Sequence, residues 1–151
     1  MNDQEYAGFW VRTGAAIIDT ILMLIIVAPI LTATYGTGYW VRESFVQGVW
    51  DVLLNYILPA IAVIIFWVHK SATPGKMAMK LTIVDAKTGG KPSTGQFVGR
   101  YLGYYVSMIP LFLGVIWVGI DKRKQGWHDK LSGTVVIKSN LIEPVKFESQ
   151  V

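Results

Sequence analysis

The sequence has no cysteine and little charge. Of its 151 residues, 16% are Asp, Glu, Lys or Arg and 52% are hydrophobic, whereas an average soluble domain carries about 25% charge. Without cysteine the chain forms no disulfide, thiolate metal site or iron–sulfur cluster and has no cysteine nucleophile. Because so few charges cannot cover a soluble globule, a soluble enzyme, a disordered regulator and a DNA-binding domain are disfavoured. The composition favours an integral membrane protein, with a single domain over residues 1–151.

Three long apolar segments, at residues 13–35, 50–68 and 101–120, carry most of this hydrophobicity. Each is close to the ~20 residues that a helix needs to cross a hydrocarbon core of ~30 Å. A soluble bundle of buried helices is disfavoured, since little polar chain remains to surround them. A cleaved signal peptide is disfavoured because residues 1–11 contain no Lys or Arg and the first segment contains an acid. We therefore expect an α-helical integral membrane protein with three membrane segments.

The distribution of basic residues conflicts with three simple crossings. The loop at residues 69–100 carries six Lys or Arg, the tail at residues 121–151 carries six, and the loop at residues 36–48 carries one. Since basic loops stay in the cytoplasm, we expect the first two regions and the N-terminus to be cytoplasmic. Three complete crossings put the loop and the tail on opposite sides. Either the third segment is re-entrant, bent near Pro110 and Gly114, or the tail lies outside.

Two short strand patterns bear on this choice. The stretch KLTIVD at residues 80–85 has apolar Leu81 and Ile83 at alternate positions, and GTVVIK at residues 133–138 is rich in β-branched residues. Strands this short need a partner, and pairing with each other places the loop and the tail on one face. We expect these cytoplasmic strands to pair and the third segment to be re-entrant. The alternative is three ordinary crossings with two unrelated strands.

An acidic residue, Asp19, lies inside the first apolar segment, seven residues after Arg12. This spacing puts both side chains on one stripe of a helix, roughly 10 Å apart along its axis. A carboxylate at such depth is protonated, paired or in contact with water. The position fits an ion or proton site and equally fits a structural polar clamp between helices.

Other motifs give little support for catalysis or cofactor binding. His128 stands beside Asp129 in QGWHDKLSGT, but no Ser or Cys nucleophile motif accompanies them, so a turn or cap at the membrane surface is favoured. The two histidines lack metal-ligand spacing. The stretch TPGKMAMK departs from the phosphate-loop pattern, because Met77 follows Lys76. We predict no enzyme activity, no cofactor and no metal.

Four motifs in order along residues 6–138 resemble the RDD family of small, mainly bacterial membrane proteins: FWVRTGAAIID, TPGK, the strand that follows it, and HDKLSGTVV. The family is named for one arginine and two aspartates. The resemblance implies Arg12, Asp19 and Asp129 as these residues, with Asp85 a weaker candidate for the second aspartate. Ser132 stands where the family more often has alanine, which is a small-for-small change. The resemblance also implies an inner-membrane location and, among candidate functions, ion or proton exchange.

Two functions follow from these observations. The first is small-ion or proton-coupled transport, in which identical subunits complete a pathway that three helices are too few to form. The second is a non-catalytic membrane scaffold or accessory subunit, in which Arg12, Asp19 and Asp129 form a structural polar lock. In either case we expect Arg12 to bridge both carboxylates. The expected partners are the lipid bilayer, anionic headgroups at the basic loop and tail, and a second copy or another membrane protein, with no nucleic acid.

Overall fold

A computed structural model describes residues 6–110 and 112–138. Helix α1 (Phe9–Tyr35) leads through a 3₁₀ turn (Thr37–Val41) to a second long helix, Val49–Lys70. This second helix consists of α2 (Val49–Val52), a π-helical turn (Leu53–Ile57) and α3 (Leu58–Lys70). The chain continues through α4 (Pro74–Ala78), β1 (Leu81–Asp85), α5 (Thr94–Met108), α6 (Leu113–Ile116) with a 3₁₀ turn (Trp117–Gly119), α7 (Trp127–Ser132) and β2 (Thr134–Lys138).

The first two apolar segments form helices that are long and apolar enough to cross a membrane. Phe9–Tyr35 has 27 residues and Val49–Lys70 has 22, so at ~1.5 Å per residue both exceed the ~30 Å hydrocarbon core. Apolar side chains along them are exposed, as a surface in contact with lipid requires: among them are Ile17, Ile25 and Ile61. The apolar segments expected at 13–35 and 50–68 thus form helices: α1 begins four residues earlier and ends at the same residue, and the second helix extends one residue earlier and two residues later.

The interruption of the second helix has a local cause in Pro59. Proline has no N–H, and its ring crowds the carbonyl four residues earlier, here that of Asn55. A π-helical turn over Leu53–Ile57 widens the helix at this point and relieves the crowding. The irregular turn therefore occurs beside Asn55, where the second helix faces α1.

The third apolar segment is bent sharply. Helix α5 ends at Met108, and α6 with its 3₁₀ extension runs at 113° to it. The two arms touch, because a Cβ added to Gly114 would lie 2.7 Å from the Cα of Ser107. The segment at residues 101–120 thus contains the expected bend near Pro110 and Gly114 and forms no straight helix across a membrane.

The two predicted strands pair with each other. They are antiparallel, with Leu81 opposite Lys138 and Asp85 opposite Thr134. The backbone N–H of Ala7 also donates to the carbonyl of Val136 at 2.9 Å, which ties the start of α1 to the same hairpin. The N-terminal end of α1, the basic loop and the chain after the bent segment therefore meet on one face. The expected pairing is confirmed, and the alternative of two unrelated strands is wrong.

The buried core lies under this hairpin. Trp67, Phe97, Leu81, Ile83 and Val136 belong to one buried cluster, together with Ala7 and Ala15. The Trp67 and Phe97 rings have centroids 6.0 Å apart and join the end of α3 to the start of α5. This packing fixes the start of α5 against the membrane helices and so positions the polar groups described next.

Candidate functional site

Asp129 is fully buried and accepts hydrogen bonds from two arginines. Its Oδ2 accepts from Nη1 of Arg12 at 2.5 Å and from the backbone N–H of Gly126 at 2.9 Å, while Nη1 of Arg100 donates to Oδ1. Arg12 lies in the first turn of α1, Arg100 in the second turn of α5, and Asp129 in α7. One carboxylate thus joins three elements that are distant in sequence, and we call Arg12, Arg100 and Asp129 the arginine cluster.

Most of the remaining donors of the arginine cluster are also engaged, the exception being the Nε of Arg100, which is buried without a hydrogen-bond partner among the residues that the structure describes. Arg12 donates through Nε to the carbonyl of Ala7 at 2.9 Å and through Nη2 to that of Lys124 at 2.5 Å. Arg100 donates through Nη1 to Oγ1 of Thr134 at 2.8 Å, and its guanidinium lies 5.5 Å from the Trp67 ring and 5.6 Å from the Tyr104 ring. A planar guanidinium held at several points in this way has one fixed orientation.

The charge of Asp129 is also fixed. Burial alone would raise the pKa of this carboxyl, but the adjacent Arg100 and Arg12 outweigh burial and hold its pKa well below the usual range. Asp129 therefore stays ionised throughout the physiological range. Sealed between two permanent cations, it has the properties of a structural ion pair.

His128 lies beside this cluster in its neutral form. Burial lowers the pKa of His128 to about 3, and the opposing pull of Asp129 is offset by Arg100, Arg12 and Lys76. The imidazole stacks on the Tyr104 ring with centroids 4.0 Å apart. A neutral histidine at this point adds no further positive charge to the two arginines.

A Ser–His–Asp arrangement like that of a hydrolase triad is formed by Ser107, His128 and Asp129. Its distances, however, are too long for a catalytic triad. Oγ of Ser107 is 3.4 Å from Nδ1 of His128, and Nε2 of His128 is 3.6 Å from Oδ2 of Asp129, whereas catalytic contacts are about 2.6–3.2 Å. Ser107 is completely buried, and its Oγ accepts from the His128 backbone N–H at 3.1 Å. These contacts pack α5 against α7 and offer no exposed nucleophile. Within residues 6–110 and 112–138, no group of three His, Asp or Glu is placed to hold a metal ion.

Asp19 lies apart from the arginine cluster. Its Oδ2 accepts from the Thr73 hydroxyl at 2.6 Å, and its Oδ1 accepts from the backbone N–H of Gly75 at 2.7 Å. The TPG turn and the short helix α4 are therefore attached to α1 through this carboxylate. Gly75 is required here, because a Cβ at this position would lie 2.0 Å from the carbonyl oxygen of Ala15.

The prediction that Arg12 bridges both carboxylates is therefore right for Asp129 and wrong for Asp19. Arg12 reaches Asp129, but in the described part of the chain no hydrogen bond joins it to Asp19. The reason is competition: the TPG turn offers Asp19 two donors at close range, whereas Arg12 lies two helical turns away. Asp85, the weaker family candidate, accepts from Gln96 at 2.7 Å and from turn N–H groups.

A cavity of about 340 Å³ lies between α1 and the second helix, and we call it the interhelical cavity. Asp19 lines one end of it, and Tyr39 and Asn55 line the other. The wall between these ends is mostly apolar, formed by Met23, Leu24, Val27, Leu31, Leu54 and Pro59. Unlike Asp129, Asp19 thus combines neutral hydrogen-bond partners with access to an open space.

A second acidic residue, Asp51, stands next to the far end of this cavity and was not singled out from the sequence. It is buried and accepts from the Tyr39 hydroxyl at 2.6 Å, the Gln47 backbone N–H at 2.8 Å and the Asn55 amide at 2.5 Å. All of these donors are neutral. The i, i+4 spacing of Asp51 and Asn55 at the start of an apolar segment is the sequence signal that could have revealed it.

The long apolar helices, the bent third segment and the buried arginine cluster define a small helical membrane protein with two helices long and apolar enough to cross a membrane. The sequence profile of the RDD family matches residues 6–133. The chain belongs to the RDD family, as its motifs indicated.

Three relatives are similar over different parts of the chain. The "Uncharacterized protein RP437" of Rickettsia prowazekii (strain Madrid E) is 40% identical over 76 residues, which are 50% of this chain and 42% of that protein. In Bacillus subtilis (strain 168), the "Uncharacterized protein YxaI" is 28% identical over 89% of this chain and 98% of its own length. The "Uncharacterized membrane protein YteJ" of the same organism is 28% identical over 90% of this chain and 83% of its own length. No solved structure is significantly similar.

Proposed function

We propose that this RDD protein exchanges protons and small cations across the membrane, with Asp19 as the binding site in the interhelical cavity. One observation carries the proposal: Asp19 borders an open cavity, and its hydrogen-bond partners, Thr73 and Gly75, are neutral. Hydrogen bonds from neutral donors stabilise a carboxylate but leave its charge in place. A carboxylate that borders a mostly apolar cavity favours a partner that balances its charge, so in this proposal Asp19 takes up either a proton or a cation.

The arginine cluster has the opposite role in this proposal. Asp129 is sealed between Arg12 and Arg100, so a mobile cation would have to compete with two fixed guanidinium groups. We assign these three residues to a structural lock that holds α1, α5 and α7 together. The scaffold hypothesis thus describes this part of the molecule well, and transport is assigned to Asp19 alone.

The shape of the interhelical cavity supports a route across the membrane. Along α1 it is lined from Asp19 to Leu31, which is about 18 Å of helix at 1.5 Å per residue, more than half of a ~30 Å core. At the far end Asp51 and Asn55 add a second polar group that attracts cations. A second copy of the chain packed along α1 and the second helix would close the sides of this route, as in other assemblies of small subunits.

The orientation that goes with this proposal has the hairpin face in the cytoplasm of a bacterial cell, with the protein in the inner membrane. The basic loop and tail support it, because cytoplasmic loops carry an excess of Lys and Arg. Asp19 then lies near the cytoplasmic end of the cavity, and Asp51 near the outer end.

Flux measurements in proteoliposomes test this function. Wild type, Asp19→Asn and empty liposomes carry a pH-sensitive dye inside, and sodium or potassium is added outside. We expect wild type to move protons on cation addition and Asp19→Asn to match empty liposomes while it keeps its fold. Asp85→Asn is the matched control, since Asp85 lies outside the cavity, and it should behave as wild type.

Two results contradict the proposal. A folded Asp19→Asn variant that transports at the wild-type rate would remove Asp19 from the mechanism. Folded wild type without cation-dependent proton movement would favour the scaffold function, and Asp19→Asn should then lower expression or stability instead.

A further inference from the structure

A second cavity, of about 320 Å³, lies between the start of α1, α4 and the bent third segment. Its polar lining includes Arg12, Lys76, Tyr104 and His128. Its apolar lining includes Phe112, Val115 and Ile116. We call it the basic cavity, because Arg12 and Lys76 are the charged groups in its lining.

Within residues 6–110 and 112–138, Lys76 has no partner for its charge. It is only 8% exposed, and its backbone N–H donates to the Thr73 hydroxyl. Among the described residues, no carboxylate or other acceptor contacts its ammonium group. The Lys76 side chain is mostly buried, and its ammonium group borders the basic cavity with donors available for an anion.

The charges around the basic cavity do not balance. Arg12, Arg100 and Lys76 contribute three positive charges. Asp129 contributes one negative charge that the two arginines already share, and Asp19, bonded to Gly75 beside Lys76, contributes a second. Burial lowers the pKa of His128 to about 3, so this residue is neutral. The region therefore keeps a surplus of positive charge, which favours an anion.

We propose that the basic cavity binds the phosphate group of an anionic phospholipid. The ammonium of Lys76 would donate to the phosphate oxygens, and the positive charge of Arg12 would add to the attraction. The Tyr104 hydroxyl accepts from Arg100 at 3.4 Å, so its own proton remains for donation to the same phosphate. Free phosphate offers the same charge and acceptors, but the apolar wall favours a phosphate that carries an acyl chain.

The location in the fold agrees with a lipid ligand. Arg12 lies in the first turn of α1, and α4 begins four residues after the second helix ends at Lys70. Both groups are therefore at the end of the membrane helices, where lipid headgroups lie. The apolar side chains come from α6 and the turn before it, in the bent segment of the chain.

Ligand-dependent stability tests this proposal on the full chain purified in a zwitterionic detergent. The probes are dihexanoyl phosphatidylglycerol, dihexanoyl phosphatidylcholine and inorganic phosphate, and the readout is the thermal midpoint against ligand concentration. We expect the anionic lipid to raise the midpoint of wild type, phosphatidylcholine to have no effect, and phosphate to act only at much higher concentration.

Lys76→Met tests the residue itself, and Lys70→Met is the matched control because Lys70 is an exposed base at the end of α3. Lys76→Met should weaken the apparent affinity for the anionic lipid by about tenfold or more, and Lys70→Met should change it little. Without lipid, Lys76→Met should be as stable as wild type or more stable, since it removes a charge that has no partner among the described residues. Lys76→Arg should retain binding.

Three outcomes overturn the proposal. If phosphatidylcholine raised the thermal midpoint as much as the anionic lipid, binding would not depend on the negative charge. If Lys70→Met lost as much affinity for the anionic lipid as Lys76→Met, the binding would be due to surface charge. If inorganic phosphate raised the thermal midpoint as much as the anionic lipid at the same concentration, the acyl chain would play no part in binding and the site would be one for free phosphate. None of these outcomes affects the Asp19 flux experiment, which concerns a different cavity.

Discussion

Two aspartates of this protein lie near the same end of its membrane helices and have opposite surroundings. Asp129 is sealed between Arg12 and Arg100, whereas Asp19 accepts hydrogen bonds from Thr73 and Gly75 beside an open cavity. The residue type is the same, and the difference lies in the charge of the partners. In the proposed function, the carboxylate with two fixed cations holds elements together, and the carboxylate with neutral donors has its charge balanced by an exchangeable ion.

Removing the carboxylate of Asp129 should have the largest effect. Asp129→Asn leaves two buried guanidinium groups without a counterion, which costs about 3–5 kcal/mol of unfolding free energy. Asp19→Asn loses part of two neutral hydrogen bonds and should cost about 1 kcal/mol. Unfolding in mixed micelles measures both variants. If both variants lost a similar amount of unfolding free energy, the charge of the partners would not distinguish the two aspartates.

The close approach of the TPG turn to α1 gives the next largest effect. Gly75→Ala places a methyl group 2.0 Å from the carbonyl oxygen of Ala15 and should cost about 1–3 kcal/mol of unfolding free energy, as overpacking does. Gly99→Ala is the control, because a Cβ there meets nothing within 4 Å, and alanine in a helix should raise stability by up to about 1 kcal/mol. If both variants unfold like wild type, Asp19 is not held by the turn.

The smallest effect concerns pH and the neutral His128. Because the folded-state pKa is lowered to about 3, the unfolded chain binds a proton that the folded chain does not as pH falls below about 6.5. Stability is present above that pH and should fall by at most about 1.4 kcal/mol per pH unit below it. Unfolding in micelles at pH 7.5 and pH 5.5 measures this slope.

His128→Asn should flatten the slope between these two pH values, and the exposed His69→Asn should leave it unchanged. An unchanged slope in His128→Asn would assign the pH dependence to other groups. Asp129 does not interfere in this window, because its lowered pKa means that its contribution is lost only in more acidic solution.

The features that the sequence revealed are those encoded by local patterns. Apolar length predicted the two long helices, β-branched residues predicted the strands, and the conflict among basic loops predicted the bend near Pro110. Gly99, Gly103 and Ser107 follow one another at four-residue spacing in α5; Gly103 and Ser107 contact α7, but a Cβ at Gly99 would meet no neighbour. Spacing within one helix shows which residues share a face, and it does not show what packs against each of them.

The partners that remained hidden are distant in sequence. Arg100 is 29 residues from Asp129, and Thr73 is 54 residues from Asp19. Arg100 was counted only as one base of a loop, because nothing in its neighbourhood marks it as buried. Tertiary packing decides such pairs, and neither helical periodicity nor charge counting contains that information.

The separation of 117 residues between Arg12 and Asp129 also orders events during biosynthesis. Arg12 enters the membrane boundary with the first helix, long before the ribosome reaches Asp129. Until then the charge of Arg12 has to be solvated by water or balanced by lipid headgroups or other polar groups. The arginine cluster is complete only after α7 has been made, so in a chain that stops early Arg12 and Arg100 lack Asp129 and the bent segment lacks its contact with α7. Such unfinished chains display the exposed surface that cellular proteases remove.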